Sequence, residues 1–116
     1  KDRIRVVMHS FSGSSEVMKR FLGLGCFISF SGSVTRDNAK KYHRCAEVVP
    51  SDRFLVETDA PSIATQTTVA SLVEPRHVAE IATKLADIRH AAYPDICRLS
   101  TCNAMDFFRI AIPEMT

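Results

Sequence analysis

Three short runs rich in β-branched and aromatic residues alternate with amphipathic segments along this chain. The runs cover residues 3–8, 26–31 and 53–57, and turn-forming residues such as Gly, Ser, Asp or Pro follow each of them. Runs of this length between turn residues predict β-strands. Between and after the runs, apolar residues recur at spacings of three and four, which predicts α-helices with one buried face.

Four helices are expected from these spacings. Serine, aspartate and proline are favoured at helix N-termini, and the predicted starts are Ser14 or Ser15, Asp37, Pro75 and a residue near Pro94. Gly23 and Gly25 end the first helix, and Pro50 ends the second. The apolar positions expected to be buried in the first helix are Val17, Met18, Phe21 and Leu22. Those of the last helix are Ile96, Leu99, Phe107 and Ile110.

The order β-α-β-α-β-loop-α-α predicts an α/β fold. Strands that alternate with helices are typical of parallel strands joined by right-handed crossovers. A complete (β/α)8 barrel takes about 250 residues and eight strands, whereas this chain has 116 residues and three predicted strands. We therefore expect a parallel βαβαβ unit with two C-terminal helices, in which residues 1–116 form a single partial domain, and we expect further residues before Lys1.

Charge and hydropathy narrow the class of protein only slightly. Fifteen basic and thirteen acidic residues leave a net charge of +2, which does not by itself indicate a nucleic-acid or membrane partner. Residues 1–49 carry a net +5 and residues 50–116 a net −3, so a phosphate-facing surface is expected in the first half. No apolar stretch approaches the roughly 18 residues of a membrane span, and we expect an intracellular protein.

Candidate chemistry collects at the predicted carboxyl ends of the strands, where active sites of α/β proteins lie. His9 follows the first strand and either binds a metal or serves as a hydrogen-bonded structural residue. Glu57 and Asp59 follow the third strand, and side-chain alternation along an extended segment puts both carboxylates on one face. Paired acids near a histidine suit metal binding or proton transfer. In the alternative interpretation, Asp59 starts a turn and Glu57 pairs with an arginine.

Other polar residues on the predicted helices have simpler interpretations. His43, His77 and His90 have basic neighbours and are expected to be solvated surface residues. Lys40 and Lys41, together with Arg44, form either a solvated face or a phosphate contact.

Three segments together resemble a known family. Residues 9–14 read His-Ser-Phe-Ser-Gly-Ser, residues 24–32 read Leu-Gly-Cys-Phe-Ile-Ser-Phe-Ser-Gly, and residues 50–61 read Pro-Ser-Asp-Arg-Phe-Leu-Val-Glu-Thr-Asp-Ala-Pro. Their order and spacing resemble those of TatD-type deoxyribonucleases, over nearly the whole chain. The resemblance implies the last strands of a (β/α)8 TIM barrel of the amidohydrolase type, in which divalent metals activate water to cleave DNA.

The resemblance also implies roles for individual residues. His9 and Asp59 match two metal ligands, Asp59 is the catalytic residue that orients or deprotonates water, and Glu57 fixes Asp59 or a neighbouring strand. The family's other ligands, an early His-x-His pair, a Glu and another His, have no counterpart in this chain. The residues expected to contact phosphate, near helix N-termini, are Ser12, Gly13, Ser31 and Gly32.

Two functions from different classes remain open at this point. The first is the C-terminal portion of a metal-dependent deoxyribonuclease that uses Mg²⁺, Mn²⁺ or Zn²⁺, holds two ions in the full barrel and is inactive as this chain alone. The second is a noncatalytic α/β module that binds nucleic acid or a partner subunit through its basic first half. Metal-independent, salt-sensitive DNA binding without cleavage would favour the second.

Overall fold

A parallel three-stranded sheet organises residues 4–111, the part of the chain that the computed structural model describes. The strands are β1 (Val7–Met8), β2 (Phe27–Phe30) and β3 (Phe54–Val56), and they lie side by side in chain order. Val7 pairs with Phe27, and Ile28 pairs with Phe54, in parallel register. The predicted parallel βαβαβ order is confirmed. β1 is shorter than the predicted run, of which residue 3 lies outside the described residues.

Four α-helices accompany the sheet within residues 4–111, as predicted. They are α1 (Ser15–Gly23), α2 (Lys40–Val48), α3 (Val78–Ile88) and α4 (Tyr93–Phe108). Ser14 caps α1, because its side-chain oxygen accepts the Val17 N–H at 3.2 Å. None of the helices within residues 4–111 has both the length and the apolar character that a bilayer span requires.

Two helix starts differ from the sequence prediction. Asp37 does not cap α2; Ala39 occupies the N-cap position, and the Asp37 N–H donates to the Gln66 side chain at 3.0 Å. The reason is a 3-10 turn (Gly32–Thr35) that follows β2 and delays the helix. Pro75 does begin a helical turn, but that turn is of the 3-10 type (Pro75–His77), and α3 starts directly after it.

The two faces of the sheet carry separate apolar clusters, because successive side chains of a strand point to opposite faces. Residues of the larger cluster, shared by the sheet and the helices, include Met8, Met18, Ile28, Phe30, Val34, Cys45, Phe54, Ile81, Leu85 and Ile96. The smaller cluster on the other face consists of Val7, Phe27, Leu55, Ala104 and Phe107. His9 and Glu57 continue the alternation of Val7 and Leu55, so they belong to the face of the smaller cluster.

Two apolar residues are not buried as the periodicity predicts. Val17 is 38% exposed while its neighbour Met18 is fully buried, because only one side of the short α1 helix faces the sheet. Ile110 is 54% exposed. It lies beyond the end of α4, where Arg109 takes a left-handed φ of 55° and turns the chain away from the helix face.

Helix α4 covers the outer edge of β3. The Asn103 side-chain amide donates to the Phe54 and Ser51 carbonyls, both at 2.9 Å, and Asn103 is buried. A buried carbonyl without a donor costs free energy, so this amide replaces the hydrogen bonds that a neighbouring strand would supply. On the opposite edge, β1 pairs only with β2, and Ile4 and Val6 are exposed.

We expect Asn103→Ala to lower the free energy of unfolding by about 1–3 kcal/mol, because it leaves the Phe54 carbonyl buried without its donor. Urea denaturation followed by circular dichroism measures this change. Asn38→Ala, at an exposed position, is the matched control and should have the midpoint of the unchanged chain. Equal midpoints for both variants would show that Asn103 does not secure the β3 edge.

Candidate metal centre

Three side chains meet at the carboxyl edge of the sheet. His9 is the first residue after β1, Glu57 is the first after β3, and Asp59 lies two residues further on. The strands are parallel, so their carboxyl ends open on one edge, and residues distant in sequence are brought together there. Metal-binding atoms of the three side chains lie within 4.8 Å of one another. It is the single group of this kind within residues 4–111.

The distances give each of the three residues a different position in the centre. His9 Nδ1 lies 2.6 Å from Glu57 Oε1, and His9 Nε2 lies 3.9 Å from Asp59 Oδ2. The side chain of Glu57 is 20% exposed, whereas those of His9 and Asp59 are 61% and 40% exposed. Glu57 is therefore the inner member, and the other two face the solvent.

Glu57 orients the imidazole of His9. An ionised carboxylate only accepts hydrogen bonds, so the hydrogen between the two groups sits on His9 Nδ1. In the neutral imidazole the lone pair is then on Nε2, which faces Asp59. Carboxylate groups hold metal-binding histidines in this way, since they select the tautomer and the ring orientation. No arginine within residues 4–111 forms an ion pair with Glu57, so the arginine alternative for Glu57 is not observed.

Asp59 starts a turn, as the alternative interpretation predicts. Its side chain also faces His9, as the metal-binding interpretation predicts. Its carbonyl accepts the Ser62 N–H at 2.8 Å. Its φ is 52°, in the left-handed region that Asp tolerates better than most residues. Because β3 ends at Val56, strand alternation alone does not align the two carboxylates. The turn brings the Asp59 side chain back towards His9.

Ser10 is a residue of the centre that the sequence analysis missed. Its N–H donates to Glu57 Oε2 at 2.9 Å, and its hydroxyl lies 2.6 Å from that of Ser31. Ser10 has a φ of 45°, a conformation that costs a non-glycine residue about 1–2 kcal/mol. Such conformations persist where surrounding contacts impose them, often at functional sites. The only sequence signal for Ser10 is its position next to His9.

The predicted phosphate contacts occupy two different environments. Ser12 is exposed and Gly13 half-buried in the loop that leads to α1. Ser31 is buried and its hydroxyl is engaged with Ser10. Gly32 is covered by the Ala64 carbonyl, which a Cβ atom would approach to 2.6 Å. The phosphate role of all four stays a prediction, and Ser12 with Gly13 offers the accessible surface.

The other three histidines do not join the centre. His43 was expected to be solvated, but it is half-buried and its Nε2 lies 2.9 Å from the Val34 carbonyl. His77 was also expected to be solvated, but it is half-buried, and its Nδ1 accepts the Glu74 N–H at 2.8 Å at the start of the 3-10 turn before α3. His90 is exposed as expected, one residue beyond the cap of α3.

The donor set fits a divalent cation. Metal–nitrogen and metal–oxygen distances of about 2.0–2.2 Å sum to about 4.2 Å, so a single ion can span the 3.9 Å between His9 Nε2 and Asp59 Oδ2. An imidazole with carboxylate oxygens is a ligand set found for zinc and for harder cations such as Mn²⁺. A cavity of about 460 Å³ begins at His9 and Glu57 and extends along Leu55 to Met105 of α4.

Fold and site together define an α/β protein that carries candidate metal ligands at the carboxyl ends of its parallel strands. The chain belongs to the TatD related DNase family, whose model matches residues 1–109. The resemblance inferred from the three sequence segments is thereby confirmed.

Curated relatives share about a third of their residues with this chain. It is 35% identical over 104 residues to the uncharacterized metal-dependent hydrolase YabD of Bacillus subtilis, and the match covers 90% of this chain and 41% of YabD. It is 36% identical over 104 residues to the uncharacterized metal-dependent hydrolase YcfH of Escherichia coli, covering 39% of YcfH. The chain spans about two fifths of the length of these relatives.

Solved structures confirm the fold class. The structure of YJJV, a TatD homologue from Escherichia coli, superposes with a TM-score of 0.84 at 28% identity, covering 90% of this chain and 40% of YJJV. A TatD family hydrolase from Entamoeba histolytica superposes with a TM-score of 0.74 at 19% identity, which shows the shared fold alone. These neighbours are (β/α)8 TIM barrels, so the chain has the architecture of part of such a barrel.

Proposed function

We propose that this chain contributes His9, Glu57 and Asp59 to the metal centre of a hydrolase that cleaves phosphodiester bonds in DNA. The observation that carries the proposal is the convergence of these residues, with the Nε2 side of His9 facing Asp59 at 3.9 Å. A divalent cation held there would supply Lewis acidity, which would polarise a phosphoryl oxygen and lower the pKa of water. His9 Nε2 and the Asp59 carboxylate are the atoms that would hold it.

Glu57 orients the groups around it, and it contacts the Nδ1 side of His9 and not the Nε2 side, where a cation would bind. Both of its oxygens are engaged, one by His9 Nδ1 and the other by the Ser10 N–H. The contact between Ser10 and Ser31 extends this support to β2. The His9 imidazole and the Glu57 carboxylate therefore keep a defined orientation. His9 needs this orientation as a metal ligand because the lone pair of its free nitrogen must point at the ion.

Asp59 combines two roles in the proposal. Its carboxylate is the more accessible of the two acids, and the hard oxygen suits a divalent cation. The second oxygen of the same carboxylate is free to accept a proton from an attacking water or to orient that water. DNA as the substrate is supported by the description of the family as TatD related DNases.

The remaining ligands of a two-ion centre are proposed to come from other strands of a barrel. Residues 4–111 offer one group of three side chains of metal-binding types, of which His9 and Asp59 are the proposed ligands. The relatives are more than twice as long as the segment they share with this chain. We accordingly expect the chain by itself to bind a cation weakly and to leave DNA uncleaved.

A chimera of YabD, in which this chain replaces the matching 41%, tests the proposal. We expect the chimera and parental YabD to nick supercoiled plasmid DNA with Mg²⁺, Mn²⁺ or Zn²⁺ and to be inert with EDTA, while this chain alone is inert throughout. Circular dichroism verifies that each protein is folded. Folded proteins that bind DNA but never cleave it would favour the noncatalytic module instead.

A further inference from the structure

Helix α2 begins with Lys40 and Lys41, and positive charges at the N-terminal end of a helix are electrostatically unfavourable. The N-cap residue is Ala39, which makes no side-chain capping bond, and the first turn contains no acidic residue. Alanine is among the poorest N-cap residues, and the positive end of a helix dipole repels cations. Helix α1 has the opposite arrangement, with Ser14 as its cap and Glu16 in its first turn. Lys40 and Lys41 thus make the start of α2 less stable.

These lysines belong to a group of cations without carboxylate partners. Lys40, Lys41 and Arg36 are all exposed. Within residues 4–111 no carboxylate forms an ion pair with any of the three. We call Arg36, Lys40 and Lys41 the cationic edge.

The cationic edge lies at the same end of the sheet as the candidate metal centre. A helix that connects parallel strands begins near the carboxyl end of the first strand, and α2 connects β2 with β3. The Arg36 guanidinium lies 3.4 Å from the Ala64 carbonyl, in the segment that follows Asp59. Gln66 of the same segment donates its N–H to the Thr35 side chain at 2.8 Å. The loop before α2 and the loop after β3 therefore form one wall beside the centre.

Lys41 is also close to the loop that follows His9. One turn further along α2, the Cys45 thiol donates to the Gly13 carbonyl at 3.5 Å. Burial raises the pKa of Cys45, the nearby Lys41 ammonium partly opposes this shift, and the Glu16 carboxylate of α1 adds to it. Lys41 thus lies on the side of α2 that faces the loop of Ser12 and Gly13.

We propose that Arg36, Lys40 and Lys41 bind phosphates of the DNA strand on one side of the scissile bond. The inference rests on the proposed function for the position of that bond. A bound phosphate would neutralise the two lysines and accept hydrogen bonds from the free N–H groups of the first turn. DNA would then offset the unfavourable charge arrangement at the start of α2.

The test compares two double variants that remove the same charge. Lys40→Gln/Lys41→Gln alters the cationic edge, and Lys19→Gln/Arg20→Gln alters exposed cations in the second half of α1. Fluorescence anisotropy with a labelled single-stranded DNA of about 20 nucleotides gives Kd between about 0.05 and 0.2 M KCl, in EDTA. We expect Lys40→Gln/Lys41→Gln to weaken binding roughly 10- to 30-fold at 0.1 M salt. The salt slope, which is the slope of the logarithm of the binding constant against the logarithm of the KCl concentration, should decrease in magnitude by about 1.4. The α1 variant should bind nearly as the unchanged chain does.

The thermal midpoint separates a binding role from a structural one. Because the lysines oppose the dipole of α2, Lys40→Gln/Lys41→Gln should keep or raise the Tm while it weakens binding. Arg36→Gln should reduce the salt slope by about 0.7, the contribution of one phosphate contact.

Three results would overturn the inference: an unchanged chain that does not bind DNA, equal losses in both double variants, or a lower Tm in Lys40→Gln/Lys41→Gln. All the binding measurements are made without metal, so they do not depend on catalysis. A chimera that fails to cleave DNA while the cationic edge still binds it would contradict the proposed function and leave the phosphate contacts intact.

Discussion

Asp59→Asn is expected to lower DNA cleavage by the YabD chimera at least about 100-fold, the usual contribution of a general base. Asparagine keeps the shape of the side chain but removes the negative charge that a divalent cation prefers and the basicity that a water-activating group needs. The Asp59 backbone takes part in a turn with a φ of 52°, and asparagine tolerates that conformation as well as aspartate does. The loss should therefore appear in chemistry rather than in folding.

Plasmid nicking with added Mn²⁺ measures this effect, and the Tm of the variant checks its fold. Asp52→Asn is a matched control, because Asp52 is an exposed carboxylate in the turn before β3. Normal turnover by Asp59→Asn would show that Asp59 does not have the catalytic role on which the proposed function depends. The noncatalytic interpretation would then be favoured if DNA binding persisted.

Glu57→Gln is expected to weaken metal binding by this chain about 10- to 100-fold, although Glu57 is not proposed to touch the ion. Both Glu57 oxygens accept hydrogen bonds, one from His9 Nδ1 and one from the Ser10 N–H. Glutamine has a single oxygen, so one of the two donors must face its NH₂ group. Either the orientation of His9 or the strained conformation of Ser10 then loses its support.

Competition between the chain and a chromophoric chelator for Zn²⁺ gives the affinity. The ¹⁵N chemical shifts of His9 report its tautomer: in the unchanged chain the hydrogen should be on Nδ1, and in Glu57→Gln the two tautomers should mix. Glu47→Gln, which changes an exposed carboxylate on α2, is the control for lost charge. Unchanged zinc affinity together with an unchanged tautomer would show that Glu57 does not position His9.

The two predictions separate ligation from orientation at one centre. Asp59 is accessible and close to Nε2, whereas Glu57 is more buried and bound to Nδ1. A ligand variant should impair both binding and cleavage, while an orienting variant should change the tautomer as well as the affinity. The tautomer is thus the observable that distinguishes the two acids.

Local patterns in the sequence determined the element order, the parallel strands and the edge at which the centre lies. Strand runs, helix periodicity and turn residues are short-range properties, and the handedness of crossovers then leaves few arrangements. The same reasoning placed His9, Glu57 and Asp59 at one edge, since each follows a strand of the same parallel sheet. Recognition of the family required only the order and spacing of three segments.

Contacts between residues far apart in sequence decided the start of α2, the backbone conformation of Ser10 and the orientation of His9. The N-cap of α2 lies at Ala39 and not at Asp37, because the chain after β2 is held by the hydrogen bond between Thr35 and Gln66, which are 31 residues apart. The conformation of Ser10 depends on Glu57, 47 residues away, which accepts its N–H. The free side of His9 is likewise selected by Glu57 and not by any neighbour in sequence. The sequence by itself determined that His9, Glu57 and Asp59 meet at the candidate metal centre. Only the tertiary structure added Ser10 and decided which atom of each side chain is free to act, because the hydrogen-bond partners at this centre follow different strands.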